Sequence, residues 1–122
     1  MKLSEDYSNG SNIIRGYNKS GIDINGLMYN SSLVVGNHHL LTNWPVKQIE
    51  ELQQEHLLAI LETEPEVILI GTGKQLQFPH PELYAEVINQ GMGIEFMDSG
   101  AACRTYNILL SENRRVTAGI IL

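Results

Sequence analysis

Cysteine is nearly absent from this chain. Cys103 is the only one, so no internal disulfide can form, and a reducing compartment is the simplest setting. Positive charge is also scarce: eight Lys and Arg stand against fourteen Asp and Glu, a net charge of −6 at neutral pH. That balance argues against general nucleic-acid binding, which needs a basic face to displace counterions. It equally disfavours attachment to an anionic membrane surface. No apolar run approaches the length that spans a bilayer. The opening MKLSEDYSNGSN has neither the apolar core of a signal peptide nor the Arg-rich amphipathic character of a transit segment. Together these features point to the cytoplasm. Repeats, low-complexity tracts and linkers are missing too, and the length suits one domain with one core. Residues 1–11 are expected to be a flexible segment and residues 12–122 a single domain.

What is present falls into two halves. Up to Pro45 the chain reads as a β-meander without a helix. Ile13, Ile14 and Tyr17 suggest the first strand, and Asn18-Lys19-Ser20-Gly21 a turn. Ile22 and Ile24 alternate with Asp23. Asn25-Gly26 is the strongest hairpin signal, because both residues tolerate the positive φ of a tight primed turn. Leu27–Tyr29 and Leu33–Val35 continue as strands, followed by a turn at Gly36-Asn37-His38-His39 and by Leu40, Leu41 and Trp44.

After Pro45 the period changes. Ile49, Leu52, Leu57, Ile60 and Leu61 recur at helical spacing, which predicts a helix over at least Gln54–Glu62. Val67–Ile70 is a continuous apolar run, as expected of a strand covered on both faces. His80-Pro81-Glu82 opens a second helix, since proline suits a first helical position, with Leu83, Tyr84, Val87 and Ile88 as its apolar stripe. Ile94–Met97 forms a strand, and Asp98 or Ser99 caps a third helix. Ala101, Ala102, Thr105, Tyr106, Ile108 and Leu109 are expected on its core face, with Gly100, Arg104, Asn107 and Ser111 opposite and Cys103 at the boundary. A turn at Glu112-Asn113 leads to a last strand over Arg115–Leu122. Strand–helix–strand order implies parallel pairing. The fold class is therefore α/β: a mixed central sheet covered by helices, with the N-terminal strands added as a layer or edge.

Candidate sites divide between chemistry and architecture. Gly71-Thr72-Gly73 follows the buried strand, where α/β sheets place ligands. It has neither the spacing of a P-loop nor the third glycine of a dinucleotide fingerprint, and a tight turn is the favoured explanation of its glycines. Asp98 and Ser99 begin a helix, and helix N-termini attract anions, although the Asp98 carboxylate would compete and capping accounts for it. If the two strands are parallel, Gly71, Thr72, Gly73, Asp98 and Ser99 frame a small cleft suited to an anionic ligand. Cys103 is either a nucleophile near a helix N-terminus or a small buried thiol, and the second role is expected. Arg104 and Asn107 are either solvated or in contact with a protein partner. The four histidines lack the one-face spacing of a helical metal pair, so neither metal nor cofactor is expected.

Several stretches together carry a resemblance: PEVILIGTG at Pro65–Gly73, Phe78-Pro79, GIEFMDSGAACRTYN at Gly93–Asn107 and ENRRVTAGIIL at Glu112–Leu122. The chain resembles a small α/β domain family of largely unknown function that includes the mitochondrial NADH:ubiquinone oxidoreductase complex assembly factor 3 and uncharacterised bacterial proteins. The likeness covers roughly residues 12–122. It implies a three-layer fold with a mixed five-stranded central sheet. Without the transit segment that a mitochondrial member would need, the chain is expected to be a bacterial or otherwise cytosolic member. It does not imply a reaction. The expected function is a non-enzymatic protein-interaction or complex-assembly role, with an unidentified protein partner and self-association both open. The alternative is a small-ligand-binding domain or enzyme using the Gly71–Gly73/Asp98–Gly100 cleft.

Overall fold

The computed structural model describes residues 10–122; the expectation of a flexible 1–11 segment therefore falls almost wholly outside the described residues. The meander forms a three-stranded antiparallel sheet of β1 (Ile14–Asn18), β2 (Gly21–Ile24) and β3 (Leu27–Tyr29). Asn25 and Gly26 take φ of 55° and 96° at the β2–β3 turn, the left-handed values that the Asn-Gly pair tolerates. Gly21 is fixed for a different reason: a Cβ there would meet the Tyr29 carbonyl oxygen at 2.0 Å.

The central sheet has five strands in the order β5-β4-β8-β6-β7. They are β4 (Leu33–Gly36), β5 (Leu40–Leu41), β6 (Val67–Gly71), β7 (Gly93–Met97) and β8 (Val116–Ile120). β6 runs parallel to β7 and β8, whereas β4 is antiparallel to β5 and β8. Alternation along each strand divides the interior into two. On one face Leu33, Val35, Leu69, Val116, Ala118 and Ile120 pack beneath the three-stranded sheet and helix α3 (Ser99–Ser111). On the other, Val34, Ile68, Ile70 and Ile121 pack with Trp44, Val46 and helices α1 (Gln54–Leu61) and α2 (Ala85–Asn89). The result is three layers, the middle one buried on both sides. That explains why β6 is apolar at every position before its glycine rather than alternating.

Two predicted helices are shorter than their periodicity suggests. The apolar spacing from Ile49 begins in a separate 3₁₀ turn, Ile49–Glu51, because Leu52 and Gln53 are extended. The chain re-enters helix through a reciprocal cap: the Gln53 N–H donates to His56 Nδ1 at 2.8 Å. The second helix breaks at Tyr84 (φ −115°, ψ 10°), leaving a 3₁₀ turn at Pro81–Leu83 before α2. Ile88, expected on the core stripe, is more than half exposed; Leu83 and Tyr84 are partly covered and Val87 is buried.

In α3 the buried stripe is rotated from the predicted one. Ser99, Ala102, Cys103 and Tyr106 face inward, and Ile108 is 57% exposed. The reason is tertiary. The helix packs against β6 and β8 on one side and β1 on another, so small residues at its start matter more than its bulkiest ones. At Gly71 an added Cβ would lie 2.9 Å from Ser99 Oγ and 3.1 Å from Ala102 Cβ. The helix thus starts in near-contact with the strand end.

Candidate functional site

The parallel register places the ends of β6 and β7 side by side, Gly71 opposite Met97. Gly71–Gly73 and Asp98–Ser99 are therefore neighbours, as the sequence implied. Between them lies a hydrogen-bond network. The Thr72 N–H donates to the Met97 carbonyl at 2.8 Å, and the Ser99 N–H to the Gly73 carbonyl at 2.8 Å. Ser99 is fully buried; its Oγ donates to the Ile121 carbonyl at 2.6 Å and accepts from the Gly73 N–H at 2.9 Å. Thr72 Oγ1 donates to the Gln75 carbonyl at 2.7 Å and accepts from the Gln77 N–H at 3.1 Å. Asp98 caps α3, its Oδ1 accepting from the Ala101 N–H at 2.9 Å. The Ser99 hydroxyl thus ties the start of α3 to the loop after β6 and to the end of β8, while the Thr72 hydroxyl closes the loop after β6 on itself. The geometry favours a structural corner over a ligand cleft, because buried polar groups of this kind are satisfied within the protein.

Cys103 is 4% exposed. Burial pushes its thiol up to about 12, the nearby Asp98 charge adds to the rise, and Arg104 opposes it. A thiol so disposed is neutral at physiological pH and a poor nucleophile. Tyr17 lies over the start of α3, its ring near Gly100. Its phenol is raised by burial first, then by proximity to Cys103 and Asp98, with a Ser99 hydrogen bond opposing.

Arg104 and Asn107, predicted to share a solvent face, differ. Arg104 is exposed and borders a cavity of about 220 Å³ together with Arg15 and Tyr17. Asn107 is half-buried because β1 lies against it. Its Oδ1 accepts from the Ile14 N–H at 3.1 Å and its Nδ2 donates to the Ile14 carbonyl. One amide thus occupies both backbone groups of a strand residue. Tyr106 acts alongside it, its hydroxyl donating to the Asn12 carbonyl at 2.7 Å.

A feature that residue-by-residue reading missed lies on the opposite side of the sheet. A groove of about 890 Å³ runs between the Ile49–Glu51 turn with the start of α1 and the Phe78–Leu83 segment. Leu58, Phe78 and Leu83 give it apolar walls, and Glu50, Glu55 and Glu82 line it as well. Phe78 is 65% exposed and Leu58 58%, although Phe78 keeps an edge contact with the Phe96 ring, centroids 6.0 Å apart. A smaller apolar cavity between α1 and α2 shares Leu58 and Leu83 with the groove and extends it to Leu61 and Val87. The available signal was Phe78-Pro79 in a polar stretch after β6, with Leu58 on the outer side of α1.

This layered sheet, with its polar corner engaged internally and an open apolar groove, defines the class: a small three-layer α/β domain. The chain belongs to a protein family of unknown function (DUF498/DUF598), whose profile matches residues 14–121. It is 34% identical over 122 residues, covering 99% of both chains, to a 13 kDa major membrane protein of Francisella tularensis. It is 28% identical to the NADH dehydrogenase [ubiquinone] 1 alpha subcomplex assembly factor 3 of Danio rerio, covering 99% of this chain and 70% of the relative. Among solved structures, a Bordetella parapertussis protein superposes with a TM-score of 0.86 at 30% identity, over 92% of this chain and 96% of that one. A Bordetella pertussis protein described as a Mth938-like domain gives 0.83 at 26%, over 99% and 92%. Among the described residues no helix is long and apolar enough to cross a membrane.

Proposed function

We propose that this domain is a non-enzymatic protein-interaction factor of the complex-assembly kind, acting in the cytoplasm and binding its partner chiefly through the Leu58–Phe78 groove. The observation that carries the reading is the contrast between two surfaces. The side-chain hydroxyls of the strand-end corner are engaged in internal hydrogen bonds, whereas large apolar side chains stand exposed along an open groove. Exposed apolar surface gathered in one place is characteristic of protein contact sites, while a ligand pocket needs convergent free polar groups. The similarity to an assembly factor supports the same reading. Arg104, exposed on the far face, is a second contact point in this proposal.

The test is native mass spectrometry of the tagged protein taken gently from its own host. The expected result is a protein bound at fixed stoichiometry to wild type and lost from Leu58→Ser/Phe78→Ser. A small bound mass lost instead from Asp98→Ala would transfer the function to the strand-end corner.

A further inference from the structure

We propose that the groove takes a basic amphipathic segment of its partner, one that presents apolar residues on one side and Lys or Arg on the other. This rests on the interaction reading above and specifies the partner's chemistry. Charge complementarity carries it. Glu50, Glu55 and Glu82 border the apolar walls, and no Lys or Arg is among the described residues that line the groove. All three glutamates are exposed, so they remain hydrated and available to an incoming cation. Their setting is a chain with a net charge of −6. The one basic group in the lining is His80, whose Nδ1 lies 3.4 Å from Glu82 Oε1 and accepts a hydrogen bond from the Glu82 N–H at 3.4 Å. An acidic segment would meet like charge along this rim, whereas an uncharged apolar one would leave the glutamates without partners. The groove is bordered by two short helical pieces and the start of α1. This is the setting in which amphipathic helices lay apolar anchors between the elements of a host.

The probe is a labelled synthetic peptide of about five helical turns, with leucines along one face and lysines and arginines on the other. It is compared with an otherwise identical peptide carrying glutamates in place of the basic residues. Binding to the full chain is read by fluorescence anisotropy at low and high salt. The basic peptide is expected to bind at low salt and to weaken as salt screens the rim. Charge reversal by Glu50→Lys/Glu55→Lys/Glu82→Lys should weaken it about tenfold or more, by loss of electrostatic complementarity, and should allow the acidic peptide to bind. Glu112→Lys, an exposed charge reversal beyond α3, should have little effect, and circular dichroism confirms that every variant is folded. Equal binding of the two peptides, binding of neither, or indifference to the rim reversal overturns the proposal. If the peptides fail while Leu58→Ser/Phe78→Ser still strips the native partner, the interaction reading stands and the basic chemistry falls. If Phe78→Ser instead abolishes a concentration-dependent dimer, the groove belongs to a second copy of this chain, and the proposal is again overturned.

Discussion

Gly119→Ala offers a demanding test of the packing described above. Gly119 lies in β8, paired with Val34 on one side and Ile70 on the other. The Trp44 indole covers it so closely that an added Cβ would lie 2.6 Å from Cη2 and 2.9 Å from Cζ3. Carbon atoms pack at roughly 3.5–4.0 Å, so indole or strand must move by about 1 Å. Neither moves freely. β8 is hydrogen-bonded along both edges. Trp44 is 3% exposed, its backbone N–H donating to the Ser32 carbonyl at 2.8 Å, so close packing rather than a ring hydrogen bond holds the indole in place. Overpacking a close-packed core costs about 1–3 kcal/mol, and this site belongs at the upper end. Replacing a strand glycine by alanine returns about 0.5–1 kcal/mol through backbone entropy. The net expected loss is about 2 kcal/mol, or about 8 °C in Tm for a domain of this size. Urea denaturation followed by circular dichroism measures it, and Trp44, the sole tryptophan, reports the contact by its fluorescence. In a Trp44→Leu background the same substitution should cost at least 1 kcal/mol less, roughly the coupling expected of residues in contact. A Gly119→Ala protein as stable as wild type, with unchanged emission, would refute the reasoning.

Further outcomes follow from the α3 environment. Cys103 should react with iodoacetamide in the folded protein more slowly than free cysteine. Because its thiol rises from 9.0 to about 12 on folding, the unfolded chain loses that proton first, and stability should fall as pH rises from about 9 to 12. Cys103→Ala should flatten this decline in alkaline urea titrations; an identical slope would remove the cause. Asn107→Ala should cost about 1–3 kcal/mol by leaving the Ile14 N–H and carbonyl without their partner. Hydrogen exchange should then quicken at the Ile14 amide, whereas a purely surface role for Asn107 predicts no change in protection. Asp98→Ala should lose about 1 kcal/mol as a helix cap, and Ser99→Ala about 1–3 kcal/mol by orphaning the Ile121 carbonyl and Gly73 N–H. Thermal melts unchanged in both variants would argue against the structural corner.

Much of the α/β architecture is legible in local chemistry. The Asn25-Gly26 turn, the apolar run Val67–Ile70 and the Asp98 cap each follow from residue types acting on their own neighbours. What escaped depends on contacts distant in sequence. The stripe of α3 turns because β1, more than ninety residues away through Asn107 and Ile14, lies where helical periodicity alone predicts solvent. The corner at Thr72 and Ser99 has the composition of a ligand loop, and only the path of Ile121 past Ser99 reveals where the hydroxyl goes. The groove was least visible, since it arises from the juxtaposition of segments that each look like ordinary loop or helix start.

The order of the strands also bears on how the chain acquires its structure during synthesis. The halves of the central sheet, β5–β4 and β6–β7, are joined only by β8. Until residues 116–120 leave the ribosome, β4 and β6 each present an open apolar edge with no strand to complete it. Long-range pairing of this kind slows folding, and unpaired edges invite association with other chains. Closure of the sheet is therefore a late event, and a nascent chain stalled before Val116 would leave both of these edges open at once.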